Sequence, residues 1–297
     1  MSIPLSFSLP RQSFAPWVTL LSLFAVTSAH AVLLVADFND ITAGSLAGKG
    51  GGTGFTGTWS GSAAGNVVVP GLSSTLYNVP QSGTSQAAKN ANNGDIRQNY
   101  RTVATSPTGE VWFSFLTETK TSSTGLSTES AGISLNVPTT ASPFNNRGDF
   151  YVQMTGNDLF YSFGAGTAAS VNITPLTPGV AADKFTLIVG RLVINGGGAP
   201  DSVSLWVDPD LIANGNINAY TPVYSSSAVN ALDSITTLGV ITYQNGMLGG
   251  GVVDNIRFSD GNGNAMQAYL DVTNVPEPSA LALVLLGVSG LAVRRRR

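Results

Sequence analysis

The chain contains no cysteine, one histidine among 297 residues, and only 10% charged residues. Without cysteine there can be no disulfides, no thiolate metal ligands and no thiol nucleophile. The single histidine, His30, lies in the N-terminal segment that reads as a cleaved leader. A mature chain without histidine or cysteine cannot assemble a Ser-His-Asp triad, a Cys-His pair or a His-ligated zinc site. Carboxylates, Lys, Tyr and Ser/Thr are the acid–base groups left. Long helical periodicity is absent as well, and the missing disulfides do not argue for a cytosolic protein, because a domain of this length buries enough apolar surface to fold without covalent staples.

What is present begins with an address. Arg11 precedes the apolar run 17–26, and the small residues Ala29 and Ala31 follow it. A charged region, an apolar region and a small-residue site in that order predict a Sec signal peptide over residues 1–31, cut after Ala31, with the Sec export machinery as partner. The bland alternative is a buried N-terminal strand or helix. Residues 32–274 hold nine Lys and Arg against sixteen Asp and Glu, a formal charge of −7. An acidic domain repels phosphate backbones, so nucleic acid is not an expected partner.

Residues 32–274 read as one domain of short strands. Apolar residues alternate at period two in runs separated by Gly, Pro, Asn and Ser clusters, with no internal repeat and no clear linker. In "EVWFSFLTE", Val111, Phe113 and Phe115 share one face, and Trp112, Ser114 and Leu116 share the other. "KFTLIVGRLVING" and "DSVSLWVDPD" flank "NGGGAPD" as a hairpin with a long glycine-rich loop. With "VLLVADF", "NVVV", "IRQNYRTV", "AGISLNV", "DFYVQM", "DLFYSF", "TLGVITY" and "GGVVDNIRF" the count reaches about a dozen, the regime of an all-β antiparallel jelly-roll sandwich.

The C-terminus carries a second address. Residues 280–293 form an unbroken small or apolar run that would span about 21 Å as a helix. A bilayer core needs nearer 30 Å, so this short transmembrane helix is a weak permanent anchor. Pro276 and Pro278 stop it from growing upstream. Arg294, Arg295, Arg296 and Arg297 act as a membrane stop and stay on the cytoplasmic side, placing the mature domain across the membrane. The series Val275, Pro276, Glu277, Pro278, Ser279, then a short apolar helix, then an arginine cluster resembles the PEP-CTERM sorting signal over residues 275–297. That resemblance implies an exported protein of a Gram-negative bacterium that makes extracellular polysaccharide. It also implies an exosortase, a membrane transpeptidase, that cuts near the Pro-Glu-Pro after a transient stay at the inner membrane. The alternative is a plain tail anchor.

The stretches "ADFNDITAGSLAGKGGGTGFTGTWSG", "SVSLWVDPD" and "GGVVDNIRFSD" resemble concanavalin A-like, LamG-type jelly rolls. The resemblance implies that fold and a tendency to bind glycans, and fold is a poor guide to activity. Laminarinase-type hydrolases of the same architecture carry clustered carboxylates on one strand, and no such cluster occurs here. Glu110 and Glu118 are eight residues apart, about 26 Å on a straight strand, too far for a glycosidase pair. The expectation is therefore not an enzyme. Trp112, Trp206, Tyr220 and Tyr224 are candidate sugar-stacking platforms, with core packing as the alternative. Asp37, Asp40 and Asp254 could converge on a structural calcium ion, the only cofactor expected. "DGNGNAMQAYLD" spaces oxygen side chains like a calcium loop, but Ala265 stands where a glycine is needed, so it reads as a Gly/Asn loop. The expected function is a cell-surface or extracellular-matrix protein whose sandwich binds polysaccharide or another envelope component. A structural coat subunit without a ligand is the alternative, and a carboxylate-dependent hydrolase or lyase the third.

Overall fold

A computed structural model describes residues 32–61, 65–70, 86–90, 96–107, 109–118, 130–137, 148–155, 158–163, 185–207, 217, 221–229, 231–243 and 251–273. The strands are β1 (Val32–Ala36), β2 (Gly44–Ser45), β3 (Phe55–Gly61), β4 (Asn66–Pro70), β5 (Gln86–Asn90), β6 (Ile96–Val103), β7 (Gly109–Glu118) and β8 (Ser130–Leu135). They continue as β9 (Phe150–Thr155), β10 (Asp158–Phe163), β11 (Phe185–Ile194), β12 (Pro200–Val207), β13 (Tyr224–Val229), β14 (Thr237–Tyr243) and β15 (Val252–Ser259), and one helix, α1 (Ala265–Thr273), closes the domain.

All pairings are antiparallel. The larger sheet runs β13-β12-β11-β7-β15-β5-β4-β2, with β1 also on β15, and the smaller runs β10-β9-β8-β14-β6-β3. The expected antiparallel jelly-roll sandwich is what forms. The signal and transmembrane helices expected to flank it lie outside the described residues, and among the described residues no helix is long and apolar enough to cross a membrane.

The main core lies between the sheets. Phe113 of β7 stacks on Phe258 of β15 at 5.3 Å and meets Phe150 of β9, in the other sheet, edge-on at 5.8 Å. Register places Phe113 directly opposite Gly190 of β11. A Cβ at Gly190 would lie within 2.7 Å of three ring carbons of Phe113. Only a residue without a side chain lets the ring lie flat there, which explains a glycine in the middle of a long strand.

The larger sheet is covered on both faces at β7, and this is why β7 reads as an almost continuous apolar run. Val111, Phe113 and Phe115 face the main core, while Trp112 and Leu116 join Leu187, Val189 and Trp206 in a second cluster beneath α1. Leu187 and Val189 of β11 therefore face the helix, and Ile188, Leu192 and Ile194 face the other sheet. The hairpin β11–β12 forms as expected. Gly197 and Gly198 take positive φ in its loop, and Asp201 accepts from the amides of Asn195 and Leu232, both at 2.7 Å.

Four strands have no clear period-two pattern in the sequence. β2 has two residues, β3 is mostly exposed, and β5 and β13, "QAAKN" and "YSSSAV", contain few β-branched or aromatic residues. Their pairing to better-formed neighbours sets their conformation, the usual tertiary override of weak propensity.

Candidate functional site

The best-defined constellation outside the main core is the seat of α1, the last element before the C-terminal motif. The segment read as a Gly/Asn loop is a one-turn 3-10 helix, Gly261–Gly263, followed by α1. Asp260 caps the first turn, its Oδ1 accepting from Asn262 N at 2.8 Å. Asn264 caps α1, its Oδ1 accepting from Met266 N and Gln267 N at 3.1 and 3.2 Å. Gly261 has φ 56, and a Cβ there would collide with Ala268 of the helix. The sequence did hold this information. Asn264 is a cap, and Ala268, Tyr269 and Val272 follow at i, i+1 and i+4 spacing, one face of a helix.

That face closes over an aromatic pair. Trp112 and Trp206 stack at 5.5 Å and 19°, and Tyr269 meets Trp112 edge-on at 5.5 Å. With 4% and 7% exposure, the two tryptophans named as candidate sugar platforms take the alternative role of core packing, because α1 covers the face they occupy. The indole of Trp112 donates from Nε1 to Glu110 Oε1 at 2.9 Å, and Arg191 donates to Glu110 Oε2 at 2.6 Å. Partial burial pushes the Glu110 carboxyl up, but the hydrogen bonds from Arg191 and Trp112 and the charge of Arg191 together hold it below its ordinary value. Glu110 and Glu118 occupy opposite ends of β7.

The last turn of α1 is fastened by polar contacts. Ser114 of β7 donates from Oγ to the carbonyl of Val272, one of the carbonyls a helix end leaves without an intrahelical partner. Thr273 Oγ1 donates to Tyr269 O at 2.7 Å. Asp271 accepts from Ser259 Oγ at 2.6 Å and from Gln267 Nε2 at 2.8 Å. Burial pulls the guanidinium of Arg257 below its ordinary value, opposed by the charges of Asp37 and Asp271.

Asp37, Asp40 and Asp254, the candidate calcium ligands, are not brought together in one cluster. Among the described residues no group of three or more His, Cys, Asp or Glu side chains comes together to hold a metal ion. Each carboxylate has a local task. Asp37 accepts from Asn39 N, Asp40 accepts from Gly52 N at 2.7 Å, and Asp254, fully buried within β15, accepts from Asn255 N at 2.8 Å. Asn255 sits in a bulge of β15 opposite β7, with φ 50, and both ends of its buried amide lack a hydrogen-bond partner.

Tyr224, the remaining described platform candidate, is half-buried and packs on Tyr161 with ring centroids 3.7 Å apart, joining β13 to β10 across the two sheets. Burial first, then the hydrogen bond with Tyr224, pushes the Tyr161 hydroxyl above its ordinary value. Tyr220, Ala29, Ala31, the Val275 to Ser279 motif and Arg294 to Arg297 lie outside the described residues.

The class these observations define is an antiparallel two-sheet β-sandwich with a helix on the outer face of the larger sheet. Residues 274–297 match the PEP-CTERM protein-sorting motif, so the chain carries that sorting signal. No curated protein sequence matches the chain. In structure it is similar to the globular domain of T. cruzi calreticulin, with a TM-score of 0.43 and 10% identity over 82% of this chain and 92% of that one. It is also similar to a structure described under endo-acting O-glycanases that prominent members of the human gut microbiota express to initiate mucin breakdown, with a TM-score of 0.41 and 11% identity over 77% and 98%. A third likeness is the exoplasmic/lumenal domain of VIP36 in a Ca2+/Man-bound form, with a TM-score of 0.40 and 10% identity over 68% and 83%.

Proposed function

We propose that this is an exported, non-enzymatic surface or matrix protein, held briefly at the inner membrane, whose sandwich binds polysaccharide or another envelope component after a transpeptidase removes the tail. The observation that carries this reading is the sorting motif over residues 274–297. Further support comes from the acidic, histidine-free mature domain and from the engagement of Glu110 with Arg191 and Trp112, which leaves that carboxylate with a structural task. The short apolar run delays release, and the arginines oppose full translocation at about 2.5–3.5 kcal/mol each on insertion scales.

Intact mass and cell fractionation in a host with the transpeptidase test the processing half. The mature form is expected to begin at Val32 and to lack Arg294 to Arg297. Changing Pro276, Glu277 and Pro278 to Ala is expected to leave membrane-bound precursor. A secreted form still ending at Arg297 replaces this reading with a plain tail anchor. One observation favours a second reading, a structural coat subunit without a ligand: the closure of Trp112 and Trp206 under α1 removes two of the four stacking candidates. Pull-down of the mature protein on the host's extracellular polysaccharide separates the two. Retention supports binding, and its absence on every glycan tried favours the coat.

A further inference from the structure

We propose that Tyr161 and Tyr224 form an oxidative cross-linking site: a one-electron oxidant of the haem-peroxidase class, with hydrogen peroxide as electron acceptor, joins the two rings by a carbon–carbon bond that ties the sheets together at their edge. β10 and β13 are the end strands of their respective sheets, so this pair stands at one rim of the sandwich. Leu159 and Tyr161 of β10 face the core, and Tyr224, beside Leu205 in register, packs against the same core from the larger sheet. The ring centroids lie 3.7 Å apart with the planes at 36°. That separation matches an ordinary carbon–carbon contact of about 3.5–4.0 Å, so the rings touch carbon to carbon. The hydrogen bond between the hydroxyls brings the same ends of the two rings together, and with them the Cε carbons that flank each hydroxyl-bearing carbon.

The order of events follows from exposure. Tyr224 is half-buried and within reach of an oxidant, whereas Tyr161 is 3% exposed. Tyr224 therefore loses the first electron, its hydroxyl proton passes to water, and it becomes a phenoxyl radical. Tyr161 keeps its proton, since burial and the hydrogen bond push its ionisation up, and it faces that radical as a hydrogen-atom donor. Transfer of one electron and one proton across the hydrogen bond restores Tyr224 and leaves the radical on Tyr161. A second oxidation at Tyr224 places a radical on each ring. One Cε of each ring then forms the new bond, and the hydrogens on those carbons move to the phenoxyl oxygens, restoring both phenols. Two hydrogen atoms leave the protein in all, and one hydrogen peroxide becomes two waters. Rings already in contact meet at an effective concentration far above that of a second molecule in dilute solution, so coupling within one chain outruns coupling between chains. In a chain without cysteine the new bond closes a loop of about 60 residues, as a disulfide would. It depends neither on what the sandwich binds nor on how the tail is processed.

The test treats the full chain, purified in mild detergent and kept dilute, with hydrogen peroxide and a haem peroxidase. The expected product is a single chain lighter by two hydrogen atoms, with dityrosine fluorescence and a cross-linked peptide pair that contains Tyr161 and Tyr224. Tyr161→Phe and Tyr224→Phe keep both rings, and each should cut the yield of the intrachain link about tenfold or more. The linked protein should melt about 4–16 °C above the unlinked one. An unchanged mass, dityrosine that joins separate chains only, or an equal yield of intrachain link in either Phe variant overturns the site. A linked protein that melts within about 2 °C of the unlinked one overturns its role in tying the sheets.

Discussion

Substituting Gly190 by alanine probes the packing that joins β7 to β11 at the centre of the larger sheet. The added methyl would lie within 2.7 Å of three ring carbons of Phe113, against an ordinary carbon–carbon contact of about 3.5–4.0 Å. Phe113 cannot simply step aside, because its ring is stacked on Phe258 and meets Phe150. The strain spreads into both sheets. Overpacking of a tight core costs about 1–3 kcal/mol, and three simultaneous overlaps place this site at the upper end, about 2–3 kcal/mol. For a domain of this size about 1 kcal/mol shifts the melting temperature by 2–4 °C, so a fall of about 4–12 °C is expected in thermal unfolding of the mature protein. The cause is a specific ring, so a second change identifies it. Phe113→Leu loses stability by itself, but adding Gly190→Ala to that background should cost far less than adding it to the native chain, a coupling of at least about 1 kcal/mol. A Gly190→Ala protein that melts within 2 °C of the native one, or strictly additive costs in the double variant, would refute the packing argument.

Trp206→Ala should cost about 3–5 kcal/mol in denaturant unfolding and diminish the near-ultraviolet dichroism of the stacked indoles, because it empties the cluster under α1. A loss below about 1 kcal/mol would mean that the helix is not seated on this pair. Asn255→Gly should be neutral or stabilising by up to about 1 kcal/mol, since glycine accepts positive φ and leaves no buried amide unpaired, whereas Asn255→Val should cost more than about 2 kcal/mol; unfolding midpoints decide. Glu110 titrates below its ordinary value in the folded state, so its contribution is present above the unfolded-state carboxyl pKa and is lost as pH falls through the folded value. Both partners are partly exposed, so native and Glu110→Gln proteins should differ by no more than about 1 kcal/mol at pH 7 and converge in acid and in high salt. A difference that persists at pH 2 would contradict this.

The sandwich was legible wherever a strand had a partner face to satisfy. "EVWFSFLTE" displays its two-sided burial directly, and "DSVSLWV" shows Val203 and Leu205 inward with Trp206 on the other side. The sorting motif was legible because its parts occur in a fixed order along the chain, with no need of tertiary information. The seat of α1 was not. Its helix is short and follows a turn rich in glycine and asparagine, and its apolar face becomes significant only when set against tryptophans more than sixty residues away in sequence. The grouping of the candidate calcium ligands was not legible for the opposite reason. Acidic residues just after the first strand and on the last strand can be named from the sequence, but whether their side chains converge depends on the bulge at Asn255 and on the turn that Asp37 and Asp40 each stabilise locally.

The pairing of β1 with β15 has a consequence for timing. Strands from opposite ends of the described chain lie side by side, and β15 also pairs with β7 and β5. Until β15 is in place, β1 has only the bridge from Val35 to Thr53, and the middle of the larger sheet is open on one side. A topology dominated by such distant contacts folds slowly, because the entropy of closing long loops must be met before the contacts reward it. Unpaired strand edges are meanwhile open to association with other chains. On the processing route proposed above, a precursor whose C-terminus is still held at the bilayer finishes this step while its translational freedom is restricted, before it meets other copies in the open.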